Sequence, residues 1–161
     1  MLIGVVSDTH GQRTYTQEAV RTLESFPVEA VLHCGDIGSP EIVPYFANWP
    51  THFVLGNVDY EELEEIEAAV RAAGQHFHGP FGSLELGGSK IALLHSDDAR
   101  TFRSTIESGE YDLVCYGHTH IAKEEWVGNT LVLNPGALYR AYPHTLAIVE
   151  LPARKVTSLK V

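Results

Sequence analysis

The chain has 161 residues and a formal net charge of −10, and this length predicts one domain over residues 1–161. The acidic balance argues against binding to long nucleic acid, which usually requires a basic face that displaces counterions. No apolar run approaches the roughly 18 residues of a membrane span, and no basic leader precedes the first strand, so we expect a soluble, cytoplasmic protein without a membrane partner.

The first half of the chain alternates short β-rich runs with helical segments. The β-rich runs lie within residues 3–10, 30–36 and 52–59. Helices are predicted over residues 12–25, 40–48 and 60–73. This alternation is typical of parallel βαβ units with right-handed crossovers.

The second half contains shorter strands with polar turns between them. Residues 83–86 and 90–95 are predicted to form a hairpin, because Gly87 and Gly88 tolerate a positive φ in the turn. A helix over residues 99–108 follows. Further strands are predicted over residues 113–116, 123–127, 131–133, 146–151 and 155–159. Two mixed β-sheets packed face to face, with helices on both outer sides, would bury these strands in an α/β fold.

Metal-ligand residue types follow β-rich runs at five places in the chain. They are Asp8 and His10, Asp36, Asn57 and Asp59, His95, and His118 and His120. In an open α/β sheet, ligands bind beyond the carboxyl ends of the strands, so these side chains can converge although they are distant in sequence. Any one of them could instead cap a helix or satisfy a loop, but their joint placement predicts a site for two metal ions.

The residue types indicate which metals such a site would bind. A carboxylate that bridges two cations must lie centrally, and Asp36 fits because the preceding Gly35 lets the backbone approach closely. Asn57 adds a neutral oxygen, which limits the negative charge and leaves the metals Lewis acidic. Imidazoles mixed with oxygen donors suit zinc, manganese, iron and nickel.

The chain resembles the calcineurin-like metallophosphoesterases, and more narrowly the short YfcE-like phosphodiesterases, whose eukaryotic relative is the retromer subunit Vps29. The resemblance covers nearly the whole chain and rests on Asp8-x-His10, Gly35-Asp36, Gly56-Asn57-x-Asp59, His95, Gly117-His118-x-His120 and the turn Asn134-Pro135-Gly136. It implies a four-layer αββα sandwich. It also implies one metal ion held by Asp8, His10, Asp36 and His120, and a second held by Asp36, Asn57, His95 and His118, with Asp36 as the bridge.

The resemblance implies a metal-dependent phosphodiesterase that hydrolyses a small or activated phosphodiester, or a nucleotide-like phosphate. A hydroxide between two cations roughly 3.5–4 Å apart would be the nucleophile. The expected cofactors are two divalent metal ions, Mn²⁺ first, with Fe, Zn, Ni and Co as alternatives. The catalytic residues would be Asp36, Asn57, His95 and Asp59, the last orienting a ligand through a hydrogen bond. Formation of a homo-oligomer is left open.

A scaffold function is the alternative, because the resemblance to Vps29 implies that this fold can serve protein interaction with little or no catalysis. A protein phosphatase is a third hypothesis, weakened by Val58 and by the short chain. Each of the seven predicted ligand positions carries a competent residue type, and this completeness favours an enzyme.

Two positions depart from the family pattern. Many family members have a histidine after the motif asparagine that protonates the leaving group, but this chain has Val58 there. Short members commonly have His-Gly-His where this chain has His95-Ser96-Asp97. Asp97 either points into the site or belongs to the start of the following helix, with Asp97 or Asp98 as its N-cap.

The remaining histidines and both cysteines fill no motif position. Cys34 and Cys115 are predicted to be buried thiols rather than nucleophiles. His33 is either a buried group beside the site or an ordinary polar residue, and Tyr139 and Arg140 either line the entrance or lie on plain surface. The other four histidines are predicted to be ordinary polar residues: His52, His76, His78 and His144.

Overall fold

Eleven strands form two mixed β-sheets in the computed structural model, which describes residues 1–161. The first sheet contains β1 (Leu2–Val6), β2 (Ala30–His33), β3 (Thr51–Phe53), β4 (His76–Phe77), β10 (Thr145–Glu150) and β11 (Lys155–Lys160). Their order across the sheet is β11-β10-β1-β2-β3-β4. Strands β1 to β4 run parallel to one another, whereas β10 and β11 are antiparallel to their neighbours.

The second sheet has five strands and also mixes both orientations. It contains β5 (Phe81–Leu86), β6 (Ser89–Leu94), β7 (Leu113–Cys115), β8 (Lys123–Val127) and β9 (Thr130–Asn134). The order is β5-β6-β7-β9-β8, with a parallel centre of β6, β7 and β9 and an antiparallel strand at each edge.

Helical segments cover the outer faces of the two sheets. They are α1 (Arg13–Glu24), α2 (Leu63–Ala72), α3 (Ala99–Glu107) and the 3₁₀ segments Pro40–Phe46 and Asp59–Glu62. Helices α1 and α2 pack with the first 3₁₀ segment on the first sheet, and α3 packs on the second. The longest helix, α1, has 12 residues, and none has the length and apolar character needed to cross a membrane.

Three apolar clusters separate these layers. A cluster of 17 buried residues lies between the first sheet and its helices, and a cluster of 15 lies between the two sheets. A smaller cluster lies beneath α3. Val31 and Leu32 are adjacent in β2 but belong to different clusters, because successive side chains of a strand point to opposite faces. The expected four-layer αββα sandwich is thereby confirmed.

The structure differs from the sequence-based expectation in two helices and one strand. The helix predicted over residues 40–48 is the 3₁₀ segment Pro40–Phe46, which contains Pro44 and therefore lacks one backbone donor. The helix predicted over residues 60–73 begins as a 3₁₀ turn and becomes α-helical only at Leu63. Strand β4 was not predicted, because two residues are too few to show an alternating pattern.

Candidate metal centre

The predicted ligands meet at the carboxyl ends of the parallel strands. Asp8 and His10 follow β1, and Asp36 follows β2. The others come from the loops after β3, β6 and β7: Asn57, His95, His118 and His120. In each sheet the parallel strands end at the same edge, so five separate loops contribute to one site.

One group of ligand atoms is compact. The donor atoms of Asp8, His10, Asp36 and His120 all lie within 4.8 Å of one another. His120 Nε2 lies 3.1 Å from Asp8 Oδ1, and His10 Nε2 lies 3.3 Å from both Asp36 Oδ2 and His120 Nε2. Ligand atoms around a cation with bonds of about 2.1 Å are separated by about 3.0–3.4 Å, so these spacings suit a metal ion.

A second group lies on the other side of Asp36. His95 Nε2 is 3.2 Å from Asp36 Oδ1, the carboxylate oxygen that does not face His10. His118 Nδ1 lies 3.0 Å from Asn57 Oδ1, and the rings of His95 and His118 have their centroids 5.2 Å apart. All seven predicted ligands are therefore brought together, with Asp36 between the two groups.

Unsatisfied buried atoms indicate that the site fits a cation. Asp8 Oδ1 and His95 Nε2 are buried, have no hydrogen-bond partner and lie 4.0 Å apart. His95 Nε2 is close to Asp36 but forms no hydrogen bond of acceptable geometry with it. Leaving such groups unpaired costs about 1–3 kcal/mol each, and divalent cations coordinated by these two atoms would remove this cost.

The orientation of His95 is set by its other ring nitrogen. Nδ1–H donates a 2.8 Å hydrogen bond to the carbonyl oxygen of Cys34, which leaves the lone pair of Nε2 directed into the site. Burial alone would lower the pKa of His95 and raise that of Asp36. The attraction between the two side chains outweighs burial when it is combined with Asp8 and the Cys34 carbonyl for His95, and with the Val58 N–H and His10 for Asp36. The pKa of His95 therefore lies above its usual value and that of Asp36 below it.

Asp59 orients backbone rather than a metal-ligand side chain. Its carboxylate is fully buried and accepts hydrogen bonds from the backbone N–H groups of Ile37, Gly38 and Gly56, at 3.1, 2.7 and 2.8 Å. These bonds join the loop that carries Asp36 to the loop that carries Asn57. Burial raises the pKa of Asp59 despite the opposing effect of the three N–H donors.

Most ligand residues have a strained backbone. Positive φ angles of 44–71° occur at five of the seven: Asp8, His10, Asp36, His118 and His120. Residues other than glycine rarely adopt this backbone conformation, and such strain persists only where the surrounding structure enforces it. Gly56 also contributes, since a Cβ atom there would overlap the carboxylate of Asp36.

His33 is a buried group beside the site. Burial lowers its pKa to about 3, so the ring is neutral at physiological pH. Its Nδ1 accepts from the N–H of Gly35 at 3.3 Å, and its Nε2–H donates to Thr9 Oγ1 at 3.0 Å. Thr9 Oγ1 in turn donates to the carbonyl of Ile37 at 2.9 Å. His33 and Thr9 thus connect the loop that carries Asp8 and His10 to the loop that carries Asp36.

Thr9 and Asn134 have positioning roles that sequence reasoning did not assign. Asn134 Nδ2 donates to the carbonyl of Gly117 at 2.9 Å, and Asn134 Oδ1 accepts from the N–H of Gly136 at 2.9 Å. Asn134 therefore supports the loop that carries His118 and His120. Two features of the sequence could have indicated these roles: Thr9 stands between the predicted ligands Asp8 and His10, and Asn134 begins the Asn-Pro-Gly turn.

The structure separates the two acidic residues before α3. Asp98 is the N-cap: its Oδ1 accepts from the backbone N–H groups of Arg100 and Thr101 at 3.0 and 3.3 Å. Asp97 is exposed and lines a cleft of about 300 Å³. The same cleft is lined by His95, Tyr60 and Asp98, but the carboxylate of Asp98 is held by the cap. Asp97 therefore faces the surroundings of the metal centre.

Three further positions lie at the mouth of the site. Val58 is 39% exposed, and its backbone N–H donates to Asp36 Oδ1 at 3.1 Å. Its side chain is aliphatic and has no proton to donate. The ring of Tyr139 lies 5.3 Å from that of His10, and the guanidinium of Arg140 stacks over Tyr139 at 5.2 Å.

Cys34 and Cys115 are fully buried free thiols, as predicted, and burial raises the pKa of both.

The chain is similar to known phosphoesterases. Phosphodiesterase MJ0936 of Methanocaldococcus jannaschii is 33% identical over 138 residues, which cover 84% of this chain and 83% of the relative. The probable metallophosphoesterase YsnB of Bacillus subtilis is 29% identical over 86% of this chain and 75% of its own length. A solved archaeal phosphodiesterase superposes with a TM-score of 0.91 at 29% identity, with both chains fully covered.

More distant solved structures share the fold. The Escherichia coli phosphoesterase YfcE is 16% identical and superposes with a TM-score of 0.68 over the full length of both chains. A Vps29 structure from Entamoeba histolytica is 20% identical, with a TM-score of 0.67 over all of this chain and 99% of its own. The family model for the calcineurin-like phosphoesterase superfamily domain matches residues 1–154. On this match and the 33% identity to the archaeal relative, the chain belongs to the calcineurin-like phosphoesterase superfamily.

Proposed function

We propose that this protein is a metal-dependent phosphodiesterase that hydrolyses a small or activated phosphodiester at a two-metal site. The observation that carries the proposal is the position of Asp36, whose two carboxylate oxygens face separate groups of ligand atoms. The 33% identical relative named as a phosphodiesterase supports the same reaction class.

The proposed ligands divide between the two oxygens of Asp36. Asp8, His10 and His120 complete the first set, and Asn57, His95 and His118 complete the second. Mixed nitrogen and oxygen donors suit Mn²⁺, with Fe, Zn, Ni and Co as alternatives. Two bound divalent cations would supply an activated water and offset the charge of the phosphoryl oxygens.

The residues at the mouth of the site would bind the substrate phosphate. Asn57 and His118 are exposed, whereas Asp8, Asp36 and His95 are buried beneath them. With Oδ1 of Asn57 directed to His118, the amide Nδ2 has no partner within the protein and can donate a hydrogen bond to a phosphoryl oxygen. Asn57 would thus bind the phosphate and a metal ion with its two different atoms.

The leaving group would receive little help with protonation. Val58 has no proton to give, and Asp59 is buried and occupied by three backbone N–H donors. We therefore propose that good leaving groups, such as aryl oxides, are favoured, because they need little protonation in the transition state.

The proposal can be tested with chelated protein. After removal of metals with EDTA, hydrolysis of bis-p-nitrophenyl phosphate should be lost, and added Mn²⁺ should restore it. The matching monoester, p-nitrophenyl phosphate, should be hydrolysed more slowly. Tight binding of metal without hydrolysis of any phosphodiester would contradict the proposal and leave the scaffold hypothesis as the better explanation.

A further inference from the structure

Three histidines form a second cluster away from the metal centre. His52 lies in β3 and pairs in register with His76 of the adjacent parallel strand β4, and His78 follows two residues later. Side chains at i and i+2 of an extended strand point to the same face of a sheet. The backbone hydrogen bond from His78 N–H to the carbonyl of Phe53, 3.0 Å long, continues the strand pairing as far as His78. The three imidazoles therefore share one face at the edge of the first sheet.

The ring of His52 contacts the rings of both His76 and His78. His52 and His76 are stacked with ring centroids 4.3 Å apart, and His52 and His78 with centroids 5.2 Å apart. His52 Nδ1 lies 2.9 Å from His78 Nε2. A Cβ atom on Gly82 of β5 would lie only 3.0 Å from Cγ of His78, so the glycine leaves the room that this ring occupies.

The cluster is open to solvent on one side. His52 is 9% exposed, His78 is half-buried and His76 is exposed. Burial and the neighbouring imidazoles of His76 and His78 lower the pKa of His52 to about 4. Burial and His76 also lower the pKa of His78. The ring of His52 is therefore neutral at physiological pH, with one N–H group and one nitrogen that carries a lone pair.

We propose that His52, His76 and His78 bind one divalent cation of the zinc class, such as Zn²⁺ or Ni²⁺, at a site separate from the metal centre. Three imidazoles are an established ligand set for zinc, and neutral nitrogen donors favour such borderline cations over Mg²⁺ or Ca²⁺. His52 Nδ1 and His78 Nε2 now share a 2.9 Å hydrogen bond. Zinc binding would replace this bond, and the two nitrogens would separate to the roughly 3.3 Å that a tetrahedral zinc requires.

The third ligand requires a side-chain rotation. The ring of His76 now lies at 11° to the plane of His52, so its nitrogen does not yet face the gap between the other two. Because His76 is exposed, its ring can turn without displacing packed neighbours. The bound cation would then connect β3 to the two-residue edge strand β4.

The test is a count of bound Zn²⁺ by equilibrium dialysis and elemental analysis. The proteins compared are the wild type, His76→Gln, His78→Gln and the matched control His144→Gln, whose ring contacts Tyr15 and none of the three cluster histidines. We expect each of the two cluster variants to bind one equivalent of Zn²⁺ fewer than the wild type and the control to bind the same number. Because the result is a difference, zinc in the metal centre cancels, whether or not the proposed hydrolysis occurs.

Two outcomes would overturn the proposal. Equal zinc content in all four proteins would show that the cluster holds no cation, and an equal loss in His144→Gln would show adventitious binding to surface histidines. His76→Gln changes an exposed side chain, so a folded variant is available even if His78→Gln does not fold. In crystals soaked with Zn²⁺, an anomalous peak should lie about 2.0–2.1 Å from the ring nitrogens of the cluster.

Discussion

Asp36 presents one carboxylate oxygen to His10, at 3.3 Å, and the other to His95, at 3.2 Å. The two histidines come from opposite sheets of the sandwich, since His10 follows β1 and His95 follows β6. The carboxylate therefore connects the ligands supplied by the two sheets. Its position explains why replacement of this residue should have a larger effect than that of any other single ligand.

Asp36→Asn should reduce both metal occupancy and phosphodiester hydrolysis. An amide cannot offset the charge of two dications, and it has only one oxygen for two groups of ligands. We expect a loss of more than about 100-fold in kcat/KM, beyond the 10–100-fold typical of residues that only support a ligand. Metal analysis and kinetics would measure this, with the exposed Glu64→Gln as control. Full turnover with two metals per chain would disprove the bridging role.

Single histidine replacements should empty the two metal positions selectively. His95→Ala and His118→Ala should mainly remove the second metal, whereas His10→Ala should mainly remove the first. The reason is that His10 approaches Oδ2 of Asp36, whereas His95 approaches Oδ1 and His118 approaches Asn57. The measurement is metal stoichiometry at limiting Mn²⁺, with circular dichroism to verify folding. The opposite selectivity would show that the ligand sets are wrongly divided.

Asp59→Asn should lower activity although residue 59 contacts no ligand side chain. The new amide NH₂ would face a backbone N–H of Ile37, Gly38 or Gly56, so donor would oppose donor at a fully buried position. We expect about 1–3 kcal/mol less stability and a 10–100-fold weaker metal affinity. Urea unfolding and metal titration would measure the two effects. Unchanged metal affinity in a destabilised variant would limit Asp59 to a folding role.

Hydrolysis should depend steeply on the leaving group. Since neither Val58 nor Asp59 can donate a proton to it, kcat/KM should fall strongly as the pKa of the leaving alcohol or phenol rises. A series of substituted phenyl diesters would measure this slope. Val58→His should flatten the slope by supplying an acid at the exposed position. A flat dependence in the wild type would show that another acid acts, and Asp97 would be the first residue to replace.

Asp97 and Asp98 should differ in what their replacement changes. Asp97 lines the cleft beside His95, so Asp97→Asn should lower KM by removing repulsion, more for a monoester dianion than for a diester. Asp97→His should lower KM further. Asp98 lines the same cleft, but its carboxylate is held by the cap of α3. Asp98→Ala should therefore lower Tm and leave the kinetics unchanged, whereas Asp98→Asn, which keeps a capping oxygen, should change neither much. Equal kinetics in Asp97→Asn and the wild type would remove Asp97 from the site.

Much of the fold and the identity of the ligands could be predicted from local sequence. The strands that are buried on both faces read as continuous apolar runs, and each ligand stands just after such a run, where parallel topology brings strand ends together. The short strand β4 was not predicted, and the 3₁₀ segment Pro40–Phe46 was predicted only as a helix. Two strand residues show no periodicity, and a helix-like pattern does not reveal which hydrogen bonds Pro44 removes.

The sequence by itself determined which residues can bind metal, because residue type and position at a strand end are local properties. Tertiary structure decided which oxygen of Asp36 faces which histidine, which of Asp97 and Asp98 caps α3, and that His52, His76 and His78 form one cluster. These outcomes depend on side-chain direction. That direction follows from the positive φ angles at Asp8 and Asp36 and from pairing between strands distant in sequence, neither of which the residue pattern encodes.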